Sequence, residues 1–364
     1  MTNLFRLSSE QGQSPWLDNL KRSYLTSGEL QRWIDKGIRG LTSNPTIFQK
    51  AIQGSNDYDS QFRDLVKAQR SIAESYWEMV VSDIRGAIDV FAPLYSSSNG
   101  ADGFVSVEVD PNLAHESGGT LQAGRELWQR IDRPNLMIKI PATEEGLPAI
   151  RSMIAEGRNV NVTLIFGLDR YQKVMEAYID GLDDRVRAGG APSGIASVAS
   201  FFISRVDTEI DRRLDEVGTA EALALRGRAA VAQARLAYDA FTRTFSGSRW
   251  DSLKNAGAAV QRPLWASTST KNPAYPDTLY VDELIGPDTV NTLPDTTVDA
   301  FIDHGRVTRT IDTDVDGARA TWDAIGRLVD LDDVAARLER EGVTAFQKSF
   351  DELLGALSTK SAEL

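Results

Sequence analysis

The chain of 364 residues has no cysteine and only two histidines, His115 and His304. Disulfides, thiolate zinc sites, iron–sulfur clusters and cysteine nucleophiles are excluded together, and two histidines cannot build a three-histidine metal centre. No Lys/Arg block occurs, and 40 Lys+Arg against 52 Asp+Glu leave a formal charge of −12. Nucleic acid is therefore not an expected partner, since phosphate-backbone binding needs a basic face. A small anion stays compatible, because a local pocket can oppose the net charge. Long apolar runs are missing too: Val162-Thr163-Leu164-Ile165-Phe166 is among the longest and far too short to span a bilayer. The first ten residues lack the apolar stretch of a secretory signal, so no membrane association and a cytoplasmic location are expected. Neither a GxGxxG turn nor a Walker A loop is present, and there are no internal repeats.

What is present is an ordinary globular composition, 41% hydrophobic, at a length that suits two average domains or one large α/β barrel. Short β-type runs alternate with stretches of helical period, the sign of βα units and a parallel sheet. Eight strands are expected, near 16–20, 38–44, 103–109, 136–141, 159–166, 196–203, 262–267 and 289–293. Between them, Phe62, Leu65, Ile72, Tyr76, Val80, Ile84 and Ile88 recur at helical spacing, as do Val206, Ile210, Leu214 and Val217. Eight strand–helix units make the count of a closed (β/α)8 TIM barrel. Two longer helical stretches, about 205–257 and 312–364, read as an insertion after the sixth strand and a C-terminal helical cap from about residue 310, within one domain spanning 1–364. The seven tryptophans lack a basic, base-stacking context and are expected in the core.

Side chains alternate faces along a strand, so polar residues of one parity inside an apolar strand point the same way. In Phe104-Val105-Ser106-Val107-Glu108-Val109, Ser106 and Glu108 share a face opposite three valines. Asn159, Asn161 and Thr163 do the same in the fifth strand, and Leu136-Met137-Ile138-Lys139-Ile140-Pro141 carries one charge among apolar neighbours. In a barrel the polar parity faces the lumen, so Lys139, Glu108, Asn161 and Thr163 are expected to converge at the C-terminal strand ends, where barrel active sites form. Asp18, Thr42, Asn44, Ser204 and Arg205 lie near the ends of their strands as well. Each residue alone has a plainer reading: Lys139 as a snorkelling lysine, Glu108 as its structural ion-pair partner, Asn44 as a turn residue, Thr163 as a β-former, Asp18 as a helix cap. Their recurrence over four consecutive strands favours a site.

A buried lysine beside carboxylates, with no cysteine, histidine or metal set, suggests amine catalysis. Desolvation favours the neutral amine, which can attack a carbonyl and form a Schiff base; the protonated imine then accepts electrons as a C–C bond breaks. Proton shuttling at the sugar hydroxyl and at the carbinolamine is work for two separately placed carboxylates.

Four ordered motifs resemble those of the transaldolases: Gly40-Leu41-Thr42-Ser43-Asn44-Pro45-Thr46-Ile47-Phe48, Val105-Ser106-Val107-Glu108-Val109-Asp110-Pro111, Met137-Ile138-Lys139-Ile140-Pro141-Ala142-Thr143 and Asn161-Val162-Thr163-Leu164-Ile165-Phe166. The similarity runs from about residue 10 to 355 and is closest to the longer bacterial members with an expanded helical C-terminus. It implies a (β/α)8 barrel that transfers a dihydroxyacetone unit from sedoheptulose 7-phosphate or fructose 6-phosphate to glyceraldehyde 3-phosphate or erythrose 4-phosphate, in the pentose phosphate pathway. It further implies Lys139 as the Schiff-base lysine, Asp18 as general acid/base, and Glu108 and Thr163 as holders of the catalytic water. Asn44 and Asn161 would bond the dihydroxyacetone hydroxyls, with Thr42 and Ser204 lining the same cavity.

The phosphate end departs from the common family pattern. Where many members read Ser-Pro-Phe-Val-Gly-Arg, this chain has Ser204-Arg205-Val206-Asp207, and a Ser-Phe-Arg pattern is replaced by Ser267-Thr268-Ser269-Thr270-Lys271. Arg205, Ser267 and Lys271 are expected to hold phosphate; the plainer readings pair Arg205 with Asp207 or Glu209 and leave Lys271 facing solvent. Asp312-Thr313-Asp314-Val315-Asp316-Gly317 matches the first half of a calcium loop, but Asp323 stands at the twelfth position and Arg319 at the eighth. The run is read instead as acidic residues at the positive end of a following helix. No cofactor or metal is expected, and the oligomeric state is expected to be monomer or homodimer. Two other readings stand beside transfer: a class I aldolase releasing free dihydroxyacetone, and a catalytically silent sugar-phosphate-binding barrel.

Overall fold

The computed structural model describes residues 2–363. Eight parallel strands close into a barrel in sequence order: β1 (Gln13–Leu17), β2 (Gly40–Thr42), β3 (Phe104–Glu108), β4 (Leu136–Pro141), β5 (Val160–Ile165), β6 (Ser197–Phe202), β7 (Gln261–Ala266) and β8 (Thr289–Leu293). Helices follow each strand and form the outer ring, as expected for a (β/α)8 barrel.

Two strands depart from their expected bounds by more than one residue. β1 begins three residues earlier and stops at Leu17, because Gln13 to Leu17 pair with Thr289 to Leu293 of β8 in unbroken register. The Gln-Ser-Pro segment looks like a turn in sequence, yet the Pro15 carbonyl still accepts from the Arg39 amide at 2.8 Å. Asp18 consequently stands just beyond the strand. β2 spans only three residues, since Asn44 is extended and caps the helix Pro45–Gln53 by accepting from the Ile47 amide at 2.9 Å. Proline at the first helical position suits this start, having no N–H to leave unpaired.

The lumen is a packed core. Trp16 points inward on the parity of Asp18 and packs against Phe104, with ring centroids 6.3 Å apart. A Cβ on Gly40 would lie 2.5 Å from the Trp16 ring, so only glycine lets the indole fill the barrel at that level. Above it, Asn161 Nδ2 donates to Ser106 Oγ at 3.0 Å and Ser200 Oγ donates to Asn161 Oδ1 at 2.7 Å. The polar parity read from β3 and β5 therefore does face the lumen.

After β6 the chain adds helices Ser204–Val217, Ala220–Ala224, Ala229–Thr244 and Ser248–Asn255. After β8 come Asp295–His304, Val315–Gly326 and the 31-residue helix Leu331–Ser361. That last helix lies on Pro45–Gln53 at the barrel mouth, tied by Thr46 Oγ1 and Ser349 Oγ at 2.8 Å. One contiguous apolar cluster runs from Leu4 to Leu357. In the acidic run at 312–317, Asp314 caps Val315–Gly326 by accepting from the Gly317 amide at 2.9 Å, and Asp312 pairs with Arg309, which accounts for these two carboxylates structurally. No described helix is long and apolar enough to cross a membrane.

Candidate active site

The register of the barrel aligns Glu108 of β3 with Lys139 of β4, and Lys139 with Asn161 of β5. Lys139 Nζ lies 3.2 Å from Glu108 Oε2 and donates to the Ser43 carbonyl at 2.9 Å, with both charged side chains about 5% exposed or less. One of its three donor positions is spent on the Ser43 carbonyl and the Glu108 charge lies beside it, which orients the amine. Burial pushes the Glu108 carboxyl above its usual range, and the positive charge of Lys139 opposes the shift. Glu108 Oε2 has no hydrogen-bond partner beyond that ion contact, and the buried Thr163 Oγ1 has none at all. Other buried atoms lack partners too, Trp16 Nε1 and Tyr171 Oη among them, but Thr163 lines the cavity of Lys139 and Glu108 contacts its amine, so these two are spare capacity for a bound water or substrate hydroxyl.

Asp18 sits across the cavity, where its Oδ1 accepts from Thr42 Oγ1 at 2.7 Å; Thr42 in turn touches Thr292 Oγ1 at 2.7 Å. Enclosure raises the Asp18 carboxyl above the usual range, Lys139 works against this, and Asp295 adds a smaller upward push. A carboxylate with raised proton affinity, beside a chargeable amine, suits proton transfer near neutral pH.

These groups border a cavity of about 320 Å³ walled by Asp18, Thr42, Asn44, Lys139, Thr163 and Ser200 at its reactive end. Arg205, Ser267 and Lys271 line its other part. Arg205 lies over the Phe202 ring at 5.2 Å, and Lys271 Nζ donates to Ser269 Oγ at 2.6 Å. Neither cation forms an ion pair within the described residues. Asp207 accepts instead from Tyr280 Oη and the Ala230 amide, and Glu209 is paired with Arg212, Arg213 and Arg337. Burial depresses the proton affinity of both Arg205 and Lys271; their mutual repulsion adds to the effect at Lys271, and Asp18 opposes it at each. Cations held this way without an ion-pair partner gain from an anionic ligand.

Two of the six non-glycine residues with positive φ among the described residues lie here. Leu164 (φ 60°), next to Thr163, and Ser267 (φ 56°), in the cavity wall, are non-glycine residues in the left-handed region. At Leu164 the β5–β6 register shifts between Val162 and Ile165, an irregularity absent from the continuous run expected at 159–166. Strain of this kind costs about 1–3 kcal/mol and tends to persist at functional positions.

Three expected residues stand differently from the rest. Asn161 does not reach the cavity wall: its carboxamide is held by Ser106 and Ser200, and Ser200 presents the hydroxyl at that level. Ser204 is buried behind Ser267, their hydroxyls 2.9 Å apart. Glu108 meets the site through Lys139 rather than through the main cavity. Asn44 caps a helix and lines the cavity at once, its Oδ1 spent on Ile47 and its Nδ2 free to donate. Sequence reasoning missed Thr46, Lys50, Ser269, Thr292 and Phe346, all in the cavity lining. Lys50 was within reach, four residues after Thr46 on one helical face; Phe346 had no local signal, being about two hundred residues from Lys139 in the chain.

A larger cleft, about 880 Å³, opens between the loop after β5 and the C-terminal helices. Its Arg170 is paired with Glu144 and Glu339 and its Lys173 with Glu144, and it lacks the buried lysine with carboxylates on two sides that marks the smaller cavity.

A family model described as Transaldolase/Fructose-6-phosphate aldolase matches residues 15–357. A protein of Frankia alni named Transaldolase is 49% identical over 361 residues, covering 98% of this chain and 97% of its own. Proteins of that name from Mycobacterium ulcerans (53% over 358 residues, 97% and 96%) and Mycobacterium tuberculosis (52% over 356 residues, 97% and 95%) are equally similar in extent. With the barrel, the buried lysine and a match over nearly its whole length, the chain belongs to the transaldolase/fructose-6-phosphate aldolase family.

Proposed function

We propose that Lys139 carries the transaldolase reaction of this chain, moving a dihydroxyacetone unit from a ketose phosphate to an aldose phosphate. The Lys139 amine adds to the C2 carbonyl of the donor, and loss of water from the carbinolamine leaves a protonated imine. Asp18 takes the proton of the C4 hydroxyl as the C3–C4 bond breaks; that electron pair moves to the imine nitrogen, and the aldose phosphate departs. The enamine then attacks the carbonyl carbon of the acceptor, whose oxygen receives the proton from Asp18. One water, held by Glu108 and Thr163, frees the new ketose. Arg205, Lys271 and Ser267 hold the phosphate of donor and acceptor alike, because the leaving and entering aldoses occupy the same place. Thr42, Asn44 and Ser200 position the dihydroxyacetone hydroxyls, with Asn161 and Ser204 supporting them from behind. The same reading puts the enzyme in the cytoplasm, as monomer or homodimer.

The observation that carries this is Lys139 itself: a buried amine at a cavity wall, 3.2 Å from one carboxylate, facing a second across the cavity, with two cations outside any ion pair in the same lining. Incubation with fructose 6-phosphate and erythrose 4-phosphate should yield sedoheptulose 7-phosphate and glyceraldehyde 3-phosphate. Dihydroxyacetone released at a rate indifferent to the acceptor would favour an aldolase instead, and turnover of neither kind would leave a binding barrel.

A further inference from the structure

The catalytic groups come from the barrel, but one wall of the cavity does not. The helix Leu331–Ser361 contributes a single side chain to it, Phe346, which is 4% exposed. The lining is otherwise mostly polar; the remaining bulky apolar residues are Ile47 and Phe202, and Phe202 lies beneath Arg205. The Phe346 helix is fixed on several sides. Ser349 meets Thr46, Gln49 donates to Glu352 at 2.8 Å, and Gln347 donates to the Pro111 carbonyl at 3.4 Å. Phe350 stands edge-on to Tyr76 at 5.1 Å. The Phe346 ring is therefore a rigid apolar wall on a cavity whose remaining groups would hold water well.

We propose that Phe346 sets how the enamine on Lys139 partitions between an acceptor aldehyde and water; the proposal rests on the transaldolase reading. The two outcomes differ in what the nucleophilic carbon of the enamine meets first. If it meets the acceptor carbonyl, a C–C bond forms and transfer follows. If it takes a proton from water, the imine of dihydroxyacetone results; hydroxide then adds to C2, the C–N bond breaks, and free dihydroxyacetone and the Lys139 amine are regenerated with one water consumed. An apolar ring denies hydrogen-bonded sites to loose water while the cavity awaits an acceptor. Truncating it opens room for a few water molecules in a polar enclosure.

The test is the ratio of dihydroxyacetone released, with fructose 6-phosphate alone, to sedoheptulose 7-phosphate formed when erythrose 4-phosphate is added. In Phe346→Ala this ratio should rise about tenfold, while Phe346→Leu, which keeps an apolar group of similar reach, should stay within about twofold of the parent. Each ratio is taken within one preparation, so partial unfolding cancels; if the alanine variant fails to fold, Phe346→Val must show an intermediate rise. In deuterated water each released dihydroxyacetone should carry one deuterium on carbon, in parent and variant alike, because release requires protonation of the enamine; unlabelled product would overturn the proposal. Release and transfer falling in equal proportion, or leucine behaving as alanine does, would overturn the proposal and leave Phe346 a packing residue. A parent enzyme that neither transfers nor cleaves would refute the underlying reading instead.

Discussion

The barrel buries charge at both of its ends, and the two clusters are built on opposite principles. At the N-terminal end, Asp102 is saturated: one carboxylate oxygen accepts from Ser14 Oγ at 2.7 Å and Arg262 Nη1 at 3.3 Å, the other from Arg39 Nε at 2.5 Å. Arg262 spends further donors on Ser14 and the Ala101 carbonyl and lies 6.0 Å from the Trp16 ring centre. At the C-terminal end, Lys139 faces Glu108, but Glu108 Oε2 and Thr163 Oγ1 lack hydrogen-bond partners, and Arg205 and Lys271 lack ion-pair partners among the described residues. A saturated cluster closes the barrel floor; an unsaturated one waits for a ligand. Burial alone does not distinguish the two charged clusters, whereas the pairing of their charged groups does.

Substitutions should split along that line. The largest effect is expected of Lys139→Ala, which should lower turnover by roughly 10⁴-fold or more. It should do so with little loss of fold, because Glu108, already raised in proton affinity by burial, can take up a proton once its cation is gone; steady-state rates and circular dichroism read the two sides. Asp102→Ala should do the reverse. Two arginines lose their common partner, at a cost of about 3 kcal/mol in unfolding free energy by urea denaturation, while activity per folded molecule holds. Loss of activity ahead of stability there would erase the distinction between the ends.

Arg205→Ala should act between these extremes. Its contact exists in ground and transition states alike, so the apparent affinity for fructose 6-phosphate should fall about 10- to 150-fold, as for one charge-assisted bond of roughly 1.5–3 kcal/mol, with unphosphorylated fructose little affected. Equal losses for both sugars would return Arg205 to a structural part. The gentlest test concerns Asp207, on the same helix as Arg205, whose carboxyl burial pushes up to about 6. A carboxyl that binds its proton more tightly when folded stabilises most at low pH, and that contribution is lost as pH rises from about 4 to about 6. Asp207→Asn cannot titrate, so its stability relative to the parent should increase through that window, by at most about 3 kcal/mol, and level off above it. A constant difference from pH 4 to 7 would contradict the assignment.

Much of the C-terminal end was legible because a strand's two-residue period survives folding. Lys139, Glu108 and Thr163 follow from parity alone, and Asp18 keeps the right face although β1 ends before it. Asn161 shows the limit: parity says which way a side chain points but not at what depth, and here neighbouring serines absorb the amide. The register shift beside Leu164 likewise depends on neighbouring strands rather than on local sequence. The floor cluster was not legible, since Ser14, Arg39, Asp102 and Arg262 lie in four separate segments and meet only when the barrel closes. Lys50 and Phe346 enter the cavity through the docking of one helix on another, a tertiary event without a sequence period.

The central claim is that the unsaturated end of the barrel works through a covalent bond to Lys139. Borohydride reduction in the presence of fructose 6-phosphate, followed by peptide mapping, tests it most directly. A reduced three-carbon adduct should appear on the peptide containing Lys139, and it should vanish in Lys139→Ala. An adduct on Lys50, Lys271 or any other lysine, or none despite measured turnover, would contradict the account.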